Sequence, residues 1–324
     1  MAKLYFLPRV ALKAQDALLP LAWRLEAAVV RWTFRRLRRL PLAEAQATAA
    51  RWFQRLGPRA PVATKLLRNL AILHPEAPLR ALKEEARESF AALGQAVAEL
   101  AHSDAISGNP EQFCEFVVDP AAEAALSDPK APAVLITAHV GPWTFTNLIA
   151  AWGGFPLSIL YAPESNPGVR EEFLRLRGAL PVTLIPRDNS MRGLLKALGK
   201  GEKVGLASDV RLDSGEPLPF FGHPMLTNTV PGRLALRAGC PLIPIRAERL
   251  GPGRFRIHAE APLDPGPEDL PLEDRVQHLA KQVLGTYERW IREAPAQWMA
   301  MARRWPKALE LEAYQRAEAR DRAP

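Results

Sequence analysis

From about residue 113 onward, short apolar runs alternate with amphipathic segments, and nothing else in the chain restricts its fold as much. Runs at 133–136, 157–161, 182–185, 203–207, 242–249 and 254–259 have the Val, Ile and Leu character of buried strands. Helical patterns at 143–152, 167–177, 190–198, 229–238 and 272–292 separate most of them. This alternation predicts an α/β fold, a mainly parallel central sheet flanked by helices on both faces. Ligands of such sheets sit outside the carboxyl ends of the strands. Gly251-Pro252-Gly253 predicts a hairpin, and 208–226 reads as one long loop. Upstream, helical spacing recurs at 42–56, 62–73 and 79–100, with a boundary loop at 103–110. Three regions result: a helical region 1–112, an α/β domain 113–306 and a charged tail 307–324.

The 324 residues, 48% of them apolar, suffice for one large domain with an accessory region. A formal charge of +8 suits an acidic partner: anionic lipid, nucleic acid, an acidic carrier protein or a phosphorylated cofactor. The segment 4–40 narrows this choice. It holds Phe6, Leu7, Leu18, Leu21, Trp23, Leu25, Val29, Val30, Trp32 and Phe34, then turns basic at Arg31, Arg35, Arg36, Arg38 and Arg39, with Pro8 and Pro20 interrupting it. Apolar residues with Trp beside clustered Arg describe a helix lying on an anionic membrane surface. The competing reading is an amphipathic helix packed on the domain with a solvated basic face. The same arginines fit lipid phosphate as well as nucleic acid, and no nucleic-acid partner is expected. Cys114 and Cys240 form no disulfide framework and no metal spacing, so a reducing, cytoplasmic setting is expected. No secretory signal pattern and no run of 18 apolar residues is present, so peripheral or monotopic attachment is expected rather than a spanning helix.

The residues able to do chemistry fall at strand ends. The first apolar run stops at Thr137-Ala138 and delivers His139, followed by Gly141, Pro142 and Trp143. An imidazole titrates near neutrality and can take a proton from a hydroxyl; the bland alternative is a histidine bonded to a loop. Pro142 suits the first turn of a helix, whose amides would face developing negative charge. There is no G-x-S-x-G elbow, no P-loop and no G-x-G-x-x-G. Asp209, Asp213 and Glu216 make only a weak metal set, and no metal is expected.

Several stretches taken in order say more than any one of them. They are RNLAILHPE at 68–76, AHVGPWT at 138–144, YAPESNP at 161–167, LRLRG at 174–178, KALGKGEKVGLASD at 196–209, LPFFG at 218–222 and PAQWMAMARRW at 295–305. Together they resemble the bacterial lipid A biosynthesis (lauroyl/myristoyl) acyltransferase family, which includes the phosphatidylinositol mannoside acyltransferases and is distantly related to the glycerol-phosphate acyltransferases. The resemblance spans roughly 65–306. It implies a glycerolphosphate-acyltransferase-like fold at the cytoplasmic face of the inner membrane. It implies transfer of a fatty acyl group from acyl-CoA or acyl carrier protein, a co-substrate rather than a resident cofactor, to a hydroxyl of a membrane glycolipid or lysophospholipid. His139 would be the general base. Gly141, Trp143, Asn166, Arg177, Arg187, Phe220, Phe221 and Gly222 are expected to line the substrates, Arg177 as the family's phosphate- or headgroup-binding arginine.

The family places a carboxylate five residues after its histidine; here that position is Thr144. A threonine accepts a hydrogen bond but supplies no charge to an imidazolium. Three readings follow. Another carboxylate, Glu164 or Asp209, reaches His139; or Thr144 orients the ring and the enzyme is slow; or catalysis is lost and the fold binds lipid or acyl chains only. The histidine that precedes the late arginine pair in the family is Ala302 here. Arg303 and Arg304 are expected on a solvated face, and Trp298 and Trp305 as packing anchors.

Overall fold

The computed structural model describes residues 19–187 and 190–322. Phe6, Leu7, Pro8 and Leu18 of the expected first segment lie outside the described residues. Helices come first: α1 (Leu19–Arg38), α2 (Leu42–Leu56), α3 (Ala63–Leu73), α4 (Leu79–Ala101) and the short α5 (Ser103–Gly108) and α6 (Pro110–Phe113). The expected boundary loop at 103–110 is therefore mostly helical. Strands then alternate with helices: β1 (Cys114–Val118), α7 (Pro120–Leu126), β2 (Ala133–Thr137), α8 (Ile149–Gly153), β3 (Leu157–Tyr161), α9 (Pro167–Arg177), β4 (Thr183–Pro186), α10 (Ser190–Gly199) and β5 (Lys203–Ala207). After β6 (Glu216–Phe220), β7 (His223–Thr227) and α11 (Val230–Ala238) come β8 (Leu242–Gly251), β9 (Arg254–Ala259), α12 (Leu272–Glu293) and α13 (Lys307–Arg322).

Seven strands form one sheet in the order β1-β9-β8-β2-β5-β3-β4, parallel throughout except for the β8–β9 hairpin. The α/β expectation of a mainly parallel, helix-flanked sheet holds. Period-two alternation sorts β2 onto two cores. Val134 and Ile136 join Val204, Leu206 and Leu242 beneath α3, α4, α11 and α12. Ala133 and Leu135 join Ile243, Ile245, Leu148 and Ile149 on the other face. A third cluster, Val30, Phe34, Leu37, Ala45, Ala49, Ala98 and Val169, ties α1 to α2, α4 and α9. The charged tail is the helix α13, which buries Ala313 and Ala317 against α3 and α4.

Two stretches depart from the sequence expectation. The expected helix at 143–152 opens as a 3-10 turn, Trp143–Leu148, before α8. The expected loop 208–226 contains the ribbon β6–β7, paired antiparallel from Glu216–Thr227 to Phe220–His223. Pro217, Pro219 and Pro224 concealed it, since proline reads against a strand. Within a two-stranded ribbon they are tolerated: all three are exposed, while Leu218, Phe220 and Met225 are buried on the other side. The ribbon turns on Phe221 and Gly222, both at positive φ (50 and 74°).

Candidate active site

Register builds the site. β2 and β5 are paired in parallel, Ala133 opposite Lys203 through Thr137 opposite Ala207. The amide of Ser208 donates to the Thr137 carbonyl (3.1 Å), carrying the pairing one step past the strands. Two residues beyond the last pair lie His139 on one strand and Asp209 on the other. Their side chains meet: the His139 Nδ1–Asp209 Oδ1 distance is 2.6 Å. Asp209 is fully buried, whereas 21% of the imidazole side chain is accessible. With Nδ1–H donated to the carboxylate, Nε2 carries the lone pair, and it has no hydrogen-bond partner among the described residues.

The second carboxylate oxygen is also occupied. Asp209 Oδ2 accepts from Trp298 Nε1 at 3.0 Å and from an Arg304 guanidinium nitrogen at 3.2 Å. Burial by itself pushes the Asp209 carboxyl up. The imidazole, the Arg304 charge and the Trp298 bond outweigh that and hold it well below the usual carboxylate range. Beside it, Ser208 Oγ and the Tyr287 hydroxyl are 2.6 Å apart, and burial pushes that phenol up, keeping it neutral.

A strap from residue 297 to 305 fixes both partners. The Gly141 amide donates to the Gln297 carbonyl (3.0 Å) and the Met299 amide to the His139 carbonyl (2.8 Å), while Val140 bridges to Trp298. Buried Asn69 on α3 donates to the carbonyls of Ala300 (2.6 Å) and Ala302 (2.8 Å). Trp305 Nε1 donates to the Phe220 carbonyl (3.1 Å), and the ring of Phe220 stacks on that of Trp305. Gly141 sits at φ +62°, where a Cβ would come within 2.7 Å of the Ala247 carbonyl oxygen. Only glycine lets the His139 loop lie this close to β8. A cavity of ≈ 240 Å³ opens on that side, lined by Ala138, Gly141, Arg246, Glu248, Glu293 and Gln297 among others. Trp143, 5.5 Å from the imidazole ring, lines a small cleft of mixed polarity with Ser89, Leu93, Gln297, Trp298 and Met301.

The remaining expected site residues are distributed unevenly. Glu164, expected as one of two carboxylates able to reach His139, is paired with Arg177 at 2.9 Å, so it is not the partner of the imidazole. Arg177 also lies over the rings of Tyr161 and Phe173. Thr144, half-buried in the 3-10 turn, makes no hydrogen bond to the imidazole among the described residues; its backbone carbonyl accepts from Asn147 Nδ2. The 3-10 turn offers no long helix dipole, and the Gly141 amide is committed to the strap. Asn166, expected at the substrate, is buried and caps α9: Oδ1 accepts from the amides of Gly168 and Val169, and Nδ2 donates to Glu26 and to the Trp23 carbonyl. Arg187 is exposed at the end of β4. Phe220 is fully buried as an anchor, and Phe221 stacks on Trp298 under the Arg292 guanidinium. Arg303 is exposed as expected. Arg304 is not on a solvated face: its side chain is 1% accessible, because the strap turns it inward onto Asp209. Trp298 is the packing anchor expected of it and also a donor to the site. Sequence reasoning missed Asn69, Tyr287 and the polar roles of Trp298 and Arg304. The available signal was the order of the motifs, which put RNL and QWMAMARRW in one constellation without saying what they touch.

Residues 14–307 match a family described as bacterial lipid A biosynthesis acyltransferase. No curated protein matches the chain. Among solved structures, the 1-acyl-sn-glycerophosphate (LPA) acyltransferase PlsC of Thermotoga maritima is similar, with 15% identity over 72% of this chain and 97% of that one and a TM-score of 0.36.

Proposed function

The chain belongs to the bacterial lipid A biosynthesis acyltransferase family and is an acyl-transfer enzyme, and from that premise we propose that His139 is its general base, oriented by Asp209. The observation that carries this reading is the 2.6 Å contact of Nδ1 with a buried carboxylate, on a side chain that is 21% accessible. In the proposed reaction, Nε2 takes the proton of an acceptor hydroxyl as its oxygen attacks the carbonyl carbon of an acyl thioester. The tetrahedral oxyanion collapses, the C–S bond breaks, and the imidazolium returns its proton to the departing thiolate. The products are an ester and a free thiol. Asp209 stabilises the transient imidazolium and selects its tautomer.

The donor is an acyl-CoA or acyl carrier protein thioester, and the acceptor a hydroxyl of a membrane glycolipid or lysophospholipid. Attachment is to the cytoplasmic face of the inner membrane. Its support is a second apolar stripe on α1: Leu21, Leu25, Val29 and Trp32 recur at helical spacing, are each more than half exposed, and lead into exposed Arg35, Arg36 and Arg39. No helix among the described residues is long and apolar enough to cross a membrane.

The test is thioester turnover with palmitoyl-CoA and vesicles containing a lysophospholipid or a glycolipid acceptor. Turnover that His139→Ala abolishes is expected. Turnover indifferent to that substitution sinks the general-base assignment.

A further inference from the structure

We propose that Arg304 is a positioning residue that serves as the standing counter-ion of Asp209, so that the buried carboxylate does not depend on a proton held by His139 for its charge balance. The inference rests on the general-base reading of His139 and adds a third member to its pair.

The argument starts from burial. Asp209 has no solvent contact, so its negative charge needs a compensating charge inside the protein. Two groups can supply it. One is His139, on Oδ1. If the imidazole did so by taking a proton in the resting state, no lone pair would remain for the acceptor hydroxyl. The other is Arg304, on Oδ2, with a charge that never leaves it. An aspartate already neutralised by a permanent cation does not require a resting imidazolium, yet it still stabilises one when the proton arrives.

The surroundings of Arg304 fit that assignment. Its guanidinium lies 5.3 Å from the Trp298 ring, and the same Trp298 donates to Oδ2. Its other hydrogen bond is a long one to the Ala302 carbonyl, and its Nε has no partner among the described residues. The other titratable groups around the site are engaged elsewhere: in the cavity beside the His139 loop, Arg246 pairs with Glu293, Arg249 with Glu99, and Glu248 with Arg256 and His258. Tyr287, from α12, is held neutral by burial. Glu310, from α13, accepts from the backbone amides of Arg304 and Trp305 rather than from the guanidinium, and burial pushes its carboxyl up. Arg68 and Arg303 act on Glu310, and Arg303 is turned outward, 4.0 Å from Asp213.

The direction of the effect is fixed by charge. Removing the Arg304 cation leaves Asp209 compensated by the imidazole alone, which favours the protonated ring. The pH at which His139 titrates then rises. The acid limb of transfer activity moves to higher pH with it, and activity recovers as pH is raised. A residue that merely holds the strap together would lower activity at every pH and leave the limb in place.

Histidine-labelled protein, with the His139 resonance identified by its loss in His139→Gln, gives the titration directly and without turnover. Arg304→Gln is expected to move the midpoint to higher pH, and Arg304→Lys to stay near the wild type. Trp298→Phe, which removes a neutral donor, is expected to shift it the same way by less, and it carries the test if Arg304→Gln fails to fold. A folded Arg304→Gln or Trp298→Phe with an unmoved or lowered midpoint overturns the proposal. That result leaves turnover dependent on His139 untouched, whereas turnover persisting in His139→Ala removes the general base without moving any titration.

Discussion

At the scale of the residue, the structure brings Asp209 onto the imidazole of His139 and pairs Glu164 with Arg177. Asp209 and Thr144 offer opposite expectations for substitution. Asp209→Asn keeps the shape and removes the charge, and loss of about 10⁴-fold in kcat is expected, the scale of the same change in a serine-protease triad. Thr144→Val is expected to stay within a few-fold of wild type in the same palmitoyl-CoA assay. A severe loss in Thr144→Val with an active Asp209→Asn would reverse the two roles. In the sequence, His139 was legible because it ends an apolar run. Asp209 was legible only as one of two options, since nothing local ties it to a residue 70 positions away. Arg304 was misread because a charged residue is rarely fully buried unless it is paired, and the pair is not visible along the chain.

At the scale of the element, alternating apolar runs and helices were enough to reach the mainly parallel sheet, because strand and helix periods differ. The 3-10 turn at Trp143–Leu148 and the proline-bearing ribbon β6–β7 were not legible. Their conformations follow from where the strap and the Phe220–Trp298–Trp305 cluster hold them, contacts made between segments far apart in sequence. Helix α1 carries a prediction of its own. Its inner face, Ala27, Val30, Phe34 and Leu37, is used in packing; on the outer stripe Trp32 stacks on Trp52, while Leu21, Leu25 and Val29 are more than half exposed. Leu25→Glu combined with Val29→Glu is expected to weaken sedimentation with anionic vesicles by more than tenfold while leaving thermal unfolding nearly unchanged, since neither side chain is in the core. A drop in stability without a change in vesicle binding would place that stripe against protein.

At the scale of the whole molecule, the excess of 43 basic over 35 acidic side chains acts together with the basic end of α1. Charge attraction to an anionic surface is screened as the Debye length falls from about 10 Å at 0.1 M salt to about 3 Å at 1 M, whereas apolar insertion is not. Binding to anionic vesicles is therefore expected to fall steeply between these salt concentrations, and binding to uncharged vesicles to be weak at both. Equal binding to both kinds of vesicle would mean that the net charge plays no part.

The pairing of β2 with β5 has a consequence for how this chain tolerates change. Histidine and aspartate are aligned by counting rungs of a ladder, not by the length of what runs between them. The chain between them adds β3 and β4 to the same sheet on the far side of β5. Residues inserted or deleted in the loops of that stretch leave the two groups facing each other, while a slip of a single rung between β2 and β5 would separate them.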